Sequence, residues 1–147
     1  MSEMLANRYF QSGRYEEAAR QLEVALAKHP ERHSVQRKLI CCYLMTGRVA
    51  DAVATTGRLL DAAPGALRGI DPADEGFPCR SPEEAERKLT SVLTDAELHA
   101  ARALVDLLFE QPGVMAELDL AAQGNPPMVE ATELKRILSI HPEIHYA

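Results

Sequence analysis

The sequence predicts an all-α protein made of stacked helical hairpins, and three observations lead to that prediction. Segments rich in Ala and Leu place apolar residues three and four positions apart, which is the spacing of amphipathic helices. The stretch GRYEEAARQLEVALAKHP at residues 13–30 recurs in outline as GRVADAVATTGRLLDAAP at residues 47–64, a shift of 34 residues. The chain has 147 residues, of which 46% are apolar, so it can bury one modest core or a short stack of small units.

Residues 1–30 predict one helical hairpin. Leu5 and Tyr9 lie four residues apart and share one face of the first helix. Gly13 tolerates the backbone conformation of a tight turn, and Pro30 ends the second helix. The second helix has its own apolar face, which is made by Ala18, Leu22 and Ala25. A single hairpin cannot bury its apolar face alone, so we expect a second hairpin to pack on the first.

The second hairpin follows in the same register, because residues 35–64 align with residues 1–30 without a gap. The identical pairs at positions with a structural role are Leu5 and Leu39, Tyr9 and Tyr43, Gly13 and Gly47, Ala18 and Ala52, and Pro30 and Pro64. The small side chains of Ala18 and Ala52 would let two helix backbones approach closely. The sequence therefore predicts two stacked hairpins over residues 1–64.

This 34-residue pattern resembles the tetratricopeptide repeat, a helix-turn-helix unit. The resemblance rests on Leu5, Ala6, Tyr9, Gly13, Tyr15, Ala18, Leu22, Ala25 and Pro30 in the first unit, and on Leu39, Tyr43, Gly47, Ala52 and Pro64 in the second. Thr56 and Leu59 depart from the usual residue types, and the tryptophan often found in the first helix is missing. The resemblance implies a right-handed solenoid whose first helices line a curved groove, where family members commonly hold a peptide or helix of a partner.

The middle of the chain divides into two parts. Residues 65–80, GALRGIDPADEGFPCR, are rich in Gly, Pro and Asp and predict a loop or an insertion. In residues 81–112, Ser81 and Pro82 begin a helix over residues 82–93, and a capping box from Thr94 to Glu97 begins a second helix that ends near Gln111. This hairpin is either a degenerate third repeat or a generic hairpin that closes the stack.

Residues 113–147 predict C-terminal capping helices and a tail. One helix is expected over residues 114–123, followed by a break at residues 124–127 and a final helix over residues 129–140. The final helix has an apolar stripe made by Val129, Leu134, Ile137, Leu138 and Ile140. We expect it to cap the solenoid, and the alternatives are that it fills the groove or swaps into a neighbouring copy.

Charge and hydropathy exclude two classes of partner. The formal net charge is −6, with ten basic and seven acidic residues in residues 1–69 against six basic and fifteen acidic in residues 70–147. An acidic chain argues against non-specific nucleic-acid binding, although the oppositely charged halves can attract each other within one chain or between copies. No apolar run approaches the roughly 18 residues that span a bilayer, so we expect neither a membrane protein nor an exported one.

Candidate catalytic and metal-binding residues are few. His141 and His145 have the spacing of helical metal ligands, but Pro142 between them disfavours a continuous helix. Cys79 is a candidate thiol whose pKa the neighbouring Arg80 would lower if the thiol were exposed. Three cysteines make a poor disulfide framework and fit a reducing cytoplasm. No P-loop, dinucleotide-binding or nucleophile-elbow motif occurs, so the sequence predicts no enzyme and no cofactor.

The candidate site is the groove implied by the family resemblance, and its lining follows from positions on the first helices. The lining residues are Asn7, Phe10, Gln11, Arg37, Cys41, Leu44, Met45 and, from residues 81–112, Arg87. Phe10, Leu44 and Met45 would hold apolar side chains, whereas Arg37 and Arg87 would hold carboxylates. The leading hypothesis is a cytoplasmic interaction module, as an adaptor, scaffold or chaperone-like protein, that binds a peptide or helix of another protein there.

Two other classes of function stay open. The first is a self-associating structural protein, such as a homodimer, in which the C-terminal helix is swapped or docked between copies. The second is a thiol-dependent or metal-dependent enzyme that uses Cys79 or the terminal histidines, for which the sequence offers little support.

Overall fold

A computed structural model describes residues 2–89 and 93–144. Those residues form eight α-helices, one short 3-10 helix and no β-strand, so the predicted all-α class is confirmed. The α-helices are α1 (Ser2–Gln11), α2 (Tyr15–Lys28), α3 (His33–Met45), α4 (Val49–Ala62), α5 (Pro82–Leu89), α6 (Asp95–Leu108), α7 (Val114–Ala122) and α8 (Val129–Ile140), and the 3-10 helix covers Pro142–Ile144.

The turns of the first two hairpins have the same backbone geometry. Gly13 between α1 and α2 has φ of +79°, and Gly47 between α3 and α4 has φ of +77°. L-residues with a side chain rarely adopt this left-handed conformation, which is why glycine stands at both positions. The repeated glycine therefore fixes where each hairpin reverses.

An arginine and a tyrosine reinforce each turn in the same way. The backbone N–H of Arg14 donates to the Tyr9 carbonyl at 2.9 Å, and that of Arg48 donates to the Tyr43 carbonyl at 2.8 Å. Each guanidinium lies over the ring of the same tyrosine, at 5.0 Å for Arg14 and 4.5 Å for Arg48. This cation–π contact recurs at the 34-residue period, so the period is a repeat of three-dimensional structure as well as of sequence.

The two hairpins stack through α2 and α3. Ala18 and Ala52, the small residues expected at helix contacts, are fully buried. The hydroxyl of Tyr43 on α3 donates to the Glu23 carboxylate on α2 at 2.5 Å, which joins the second hairpin to the first. Burial against α2 also leaves Leu39 only 1% exposed. The contact between hairpins thus combines apolar packing with one polar bond.

The C-terminal helices pack in an order that differs from a regular solenoid. Helix α5 packs on α6 and against α3, and α6 packs on α7 and α4. Helix α8 lies along α4, as α3 lies along α2, and also contacts α7. The position that the first helix of a third repeat would take is therefore occupied by the last helix of the chain. A repeat origin for residues 81–112 stays a prediction.

Three helix ends differ from their predicted positions. The described part of α5 is Pro82–Leu89, Leu93 is not helical, and residues 90–92 between them are not among the described residues. Helix α6 ends at Leu108 and not near Gln111, because Glu110 adopts a φ of +54° that a helix does not allow. Helix α7 ends at Ala122, one residue before its predicted end. The predicted capping box at the start of α6 is present.

Helix α8 buries a narrower stripe than predicted. Its buried residues are Ala131, Leu134, Ile137 and Leu138. Val129 is 74% exposed and Ile140 is 56% exposed, so the prediction that these two residues belong to the buried stripe is wrong. They are the first and last residues of the helix. Gly57 on α4 allows a close approach, since a Cβ there would lie 3.4 Å from Ile137 Cδ1.

Candidate functional site

The connecting segment, residues 65–80, joins α4 to α5 and lies against the inner face formed by α1 and α3. It contains turns and no α-helix. Leu67, Phe77 and Cys79 are buried, and the ring of Phe77 lies 6.1 Å from that of Phe109. These anchors hold the segment as a packed part of the fold.

Arg37 on α3 binds the connecting segment through two groups. Its Nε donates to the Glu75 carboxylate, and its Nη1 lies 3.4 Å from the Ala66 carbonyl oxygen. From α5, the Lys88 ammonium donates to the Pro78 carbonyl at 2.9 Å. The acid-rich segment is therefore held by basic side chains of two helices, and the Arg37–Glu75 pair is an attraction between the oppositely charged halves of the chain.

The contact with α1 depends on a glycine. Gly76 has φ of +87°, and a Cβ at this position would lie 2.6 Å from Phe10 Cε2. Phe10 is only 5% exposed, and its ring meets that of Tyr15 edge-on at 5.7 Å. The connecting segment thus covers Phe10, and this approach is possible because residue 76 has no side chain.

Three of the predicted lining residues are not available on an open surface. Phe10, Cys41 and Leu44 are 5%, 5% and 2% exposed. Phe10 lies beneath Gly76, the Cys41 thiol lies close enough to Glu75 to sense its charge, and Leu44 lies opposite α5. The connecting segment and α5 cover most of these side chains, although Phe10 and Leu44 still contribute to the lining of openings on the inner face.

Two other predicted residues do come together at an opening that we call the notch. The notch has a volume of about 250 Å³ and is lined by Asn7, Phe10, Gln11, Lys38, Asp74, Glu75 and Gly76. The Lys38 ammonium donates to Asn7 Oδ1 at 2.7 Å, and this bond links α3 to α1 across the notch. The notch combines amides, one lysine and two carboxylates, so its chemistry suits polar and charged groups.

A second opening, which we call the hollow, lies between the α3–α4 turn and α5. It has a volume of about 340 Å³ and is lined by Leu44, Met45, Thr46, Gly47, Lys88, Leu89 and Leu93. Met45, a predicted lining residue, is half-buried here. Arg87 is exposed on α5 but lines neither opening.

The predicted site is therefore brought together only in part. Asn7 and Gln11 share the notch, Met45 lies at the hollow, and Arg37 is engaged by Glu75. The sequence did not predict that the connecting segment would form part of the site. The available signal was charge, since the acidic stretch DPADEGF is opposite in sign to the adjacent Arg37 and Lys38.

The candidate enzyme residues do not form a site in the described part of the chain. Cys79 is fully buried, so the exposure on which the expected effect of Arg80 depended is not met, and burial raises the pKa of the thiol although Lys88 opposes this. His141 follows α8, and its predicted partner His145 lies outside the described residues. Within residues 2–89 and 93–144, no group of three His, Cys, Asp or Glu side chains is arranged to hold a metal ion.

A cluster of ionisable residues lies across α5, α6 and α7. His99 Nδ1 lies 2.6 Å from a Glu117 carboxylate oxygen, and Arg102 lies 2.5 Å from the Glu86 carboxylate. Burial, together with the charges of Glu117 and Glu86, raises the pKa of Asp106 from 3.8 to about 6, against the opposing effect of Arg102. The ionised form of Asp106 is therefore disfavoured in the folded protein.

These features define a short helical-repeat protein whose inner face is partly covered by its own chain. Residues 3–66 match the family model described as tetratricopeptide repeat, so this part of the chain is similar to that family. Repeats of this family generally mediate protein–protein interaction and are typically non-enzymatic. Comparison with curated proteins and with solved structures finds no match. Across the described residues, every helix is too short or too polar to traverse a bilayer.

We predict that Gly76→Ala destabilises the fold by about 1–3 kcal/mol, because the new methyl group collides with Phe10 and the residue keeps a left-handed backbone. Gly65→Ala is the matched control, since a Cβ at Gly65 would meet nothing within 4 Å and its φ is not left-handed. Urea unfolding followed by circular dichroism measures both. Equal urea midpoints for the two variants would show that Gly76 is not in close contact with Phe10.

We predict that Asp106→Asn raises the free energy of unfolding by about 1 kcal/mol at about pH 8, after allowance for the partial exposure of the carboxyl group. The folded-state pKa of about 6 is above the ordinary 3.8, so the ionised carboxylate costs stability above that pKa and the cost disappears as pH falls. The gain should therefore vanish near pH 4. Asp61→Asn, at an exposed site on α4, serves as the control in the same urea titrations. A gain in the free energy of unfolding that is independent of pH would contradict the raised pKa of Asp106.

Proposed function

We propose that the protein is an adaptor or scaffold that binds a peptide or helix of another protein on the open part of the inner face. The observation that carries this proposal is the notch, where Asn7 and Gln11 of α1 meet Lys38 of α3. Amide side chains both donate and accept hydrogen bonds, so they can pair with the backbone of a partner segment. Support also comes from the general role of tetratricopeptide repeats in protein–protein interaction.

The spacing of the two openings favours a chain-like ligand. Lys38 at the notch and Met45 at the hollow are seven residues apart on α3, which is two helical turns and about 10 Å. An extended peptide covers that distance with about three residues. A partner segment that runs along α3 would therefore place a polar group in the notch and an apolar side chain at Met45 and Leu89.

A cytoplasmic location is part of the proposal. The three cysteines are free, and all three are buried. Unpaired thiols are typical of proteins that work in a reducing compartment.

We predict that Lys38→Glu lowers capture of the partner by about tenfold or more, because it removes the bond to Asn7 and places a third carboxylate in the notch. The measurement is cross-linking in a cell lysate, followed by identification of captured proteins by mass spectrometry. Lys28→Glu is the control. Lys28 is exposed at the end of α2, so this substitution makes the same change in charge outside the notch. If the two variants capture the same proteins in the same amounts, the inner face is not the binding surface.

Self-association is a second candidate, and the exposure of Leu5 favours it. Leu5 is 37% exposed, whereas its repeat equivalent Leu39 is 1% exposed because α2 covers it. Met4 beside it is 69% exposed. This face has the register of a stacking surface, so a second copy can pack on it. The alternative in which α8 swaps between copies has less support, since α8 packs along α4 of its own chain.

If self-association occurs through this face, Leu5→Glu should shift the dimerisation constant by about tenfold or more toward the monomer, since it buries a charge against apolar side chains. Sedimentation equilibrium measures the constant. Leu120→Glu, at a site that is 49% exposed on α7, is the matched control and should leave it unchanged. A monomeric parent protein at all concentrations would remove this candidate.

A further inference from the structure

The connecting segment contains an acidic turn, residues 73–76, that is exposed between two buried anchors. Pro72 and Phe77 on either side of the turn are buried, whereas Ala73, Asp74 and Gly76 are exposed and Glu75 is half-buried. The backbone N–H of Gly76 donates to the Ala73 carbonyl at 3.1 Å, which closes the turn. The anchors hold the backbone, and the carboxylate side chains of the turn face the notch.

Two adjacent cations on α3 lie near this turn: Lys38 lines the notch, and Arg37 is paired with Glu75. Arg37 is 20% exposed and Glu75 is 29% exposed, so their ion pair is in part open to solvent, and Glu75 itself lines the notch. Arg37 donates to Glu75 through Nε. The other N–H groups of the guanidinium can be approached by a carboxylate of another molecule, in the bidentate arrangement that arginine favours. Lys38 is bonded to a neutral amide, so that bond leaves its charge uncompensated.

We infer that Glu75 is a tethered ligand of the inner face, and that the partner is an acidic segment whose side-chain carboxylate takes Arg37 from Glu75. This inference rests on the proposed function, because it names the chemistry of the partner that the notch accepts. The exchange needs only a rotation of the Glu75 side chain, since the anchors at Pro72 and Phe77 keep the turn in place. The chain's own acidic turn shows that a carboxylate binds Arg37 at this place, with Lys38 lining the same notch as Glu75.

The tether has a consequence for affinity. A group attached close to its binding site competes at an effective concentration in the millimolar range, so Glu75 weakens the binding of any external carboxylate. Glu75→Gln preserves the shape of the turn and removes the competing charge. The affinity for an acidic segment should therefore rise about five- to tenfold, which is the range of a partly buried ion pair.

The probe is a fluorescent peptide with the sequence of residues 70–78, IDPADEGFP, acetylated at its N-terminus and amidated at its C-terminus. The amide removes the terminal carboxylate, so binding reports side-chain carboxylates alone. Fluorescence anisotropy gives its affinity for the full-length parent, for Glu75→Gln, and for Glu75→Gln combined with Arg37→Gln. We expect the tightest binding with Glu75→Gln, a loss of about tenfold or more in the double variant, and weaker binding at high salt.

The matched control is Asp71→Asn, which removes a charge from the same segment outside the notch and keeps an acceptor for the Ala73 N–H. It should bind the peptide as the parent does. A peptide in which Asp and Glu are replaced by Asn and Gln should bind none of the variants detectably. Circular-dichroism melts of all variants show that they are folded, and if Glu75→Gln is unstable, Glu75→Ala replaces it in the comparison.

Three results would each overturn the inference: equal affinity of the parent and Glu75→Gln, the same gain in Asp71→Asn, or unchanged binding when Arg37 is lost. These results are distinguishable from failure of the proposed function. If Lys38→Glu abolishes partner capture while the peptide has the same affinity for Glu75→Gln as for the parent, the inner face still binds a partner and only the tethered-ligand inference fails. If Lys38→Glu also leaves capture unchanged, both fail.

Discussion

A helical hairpin cannot bury its own apolar face, and the rest of this structure follows from how that face is covered. Within the first two hairpins, α2 covers α3 and leaves Leu39 in the core. On the far side of the second hairpin, the chain returns through three further helices before α8 covers α4. The stack is thus completed by α8, the last α-helix of the described chain. Helices α5, α6 and α7 pack on one another, and α6 connects this group to α4.

The inner face is covered by a different kind of contact. The connecting segment has no helical period and brings only a few apolar anchors, so it combines buried side chains with an ion pair and backbone hydrogen bonds. The backbone at Gly76 can lie against the Phe10 ring because glycine has no side chain. Covering this face with an acidic segment also neutralises part of the positive charge of α3, which would otherwise be exposed in a chain whose first half is basic.

Local signals predicted the parts of the structure that depend on local physics. Gly13 and Gly47 predicted the turns because a left-handed backbone is a property of the residue itself, and Thr94 predicted the start of α6 because a capping box needs only four residues. The burial of Phe10 was not predictable in this way. Phe10 is covered by Gly76, which belongs to a segment without helical periodicity, and the sequence of such a segment does not indicate which face of the protein it packs against. The position of α8 on α4 likewise depends on contacts between residues about 80 positions apart, such as Gly57 and Ile137.

The same burial limits what kind of recognition the inner face can perform. Phe10, Cys41 and Leu44 are almost fully buried, so they offer a partner helix little apolar surface, even though Phe10 lines the notch. What remains there is lysine, amide and carboxylate groups, whose interactions in water are individually weak and are screened by salt. Recognition by such groups discriminates by charge and hydrogen-bond pattern more than it supplies affinity. Under the proposed function, the notch would therefore supply selectivity, and most of the binding free energy would come from apolar contacts outside it, such as those at Met45 in the hollow.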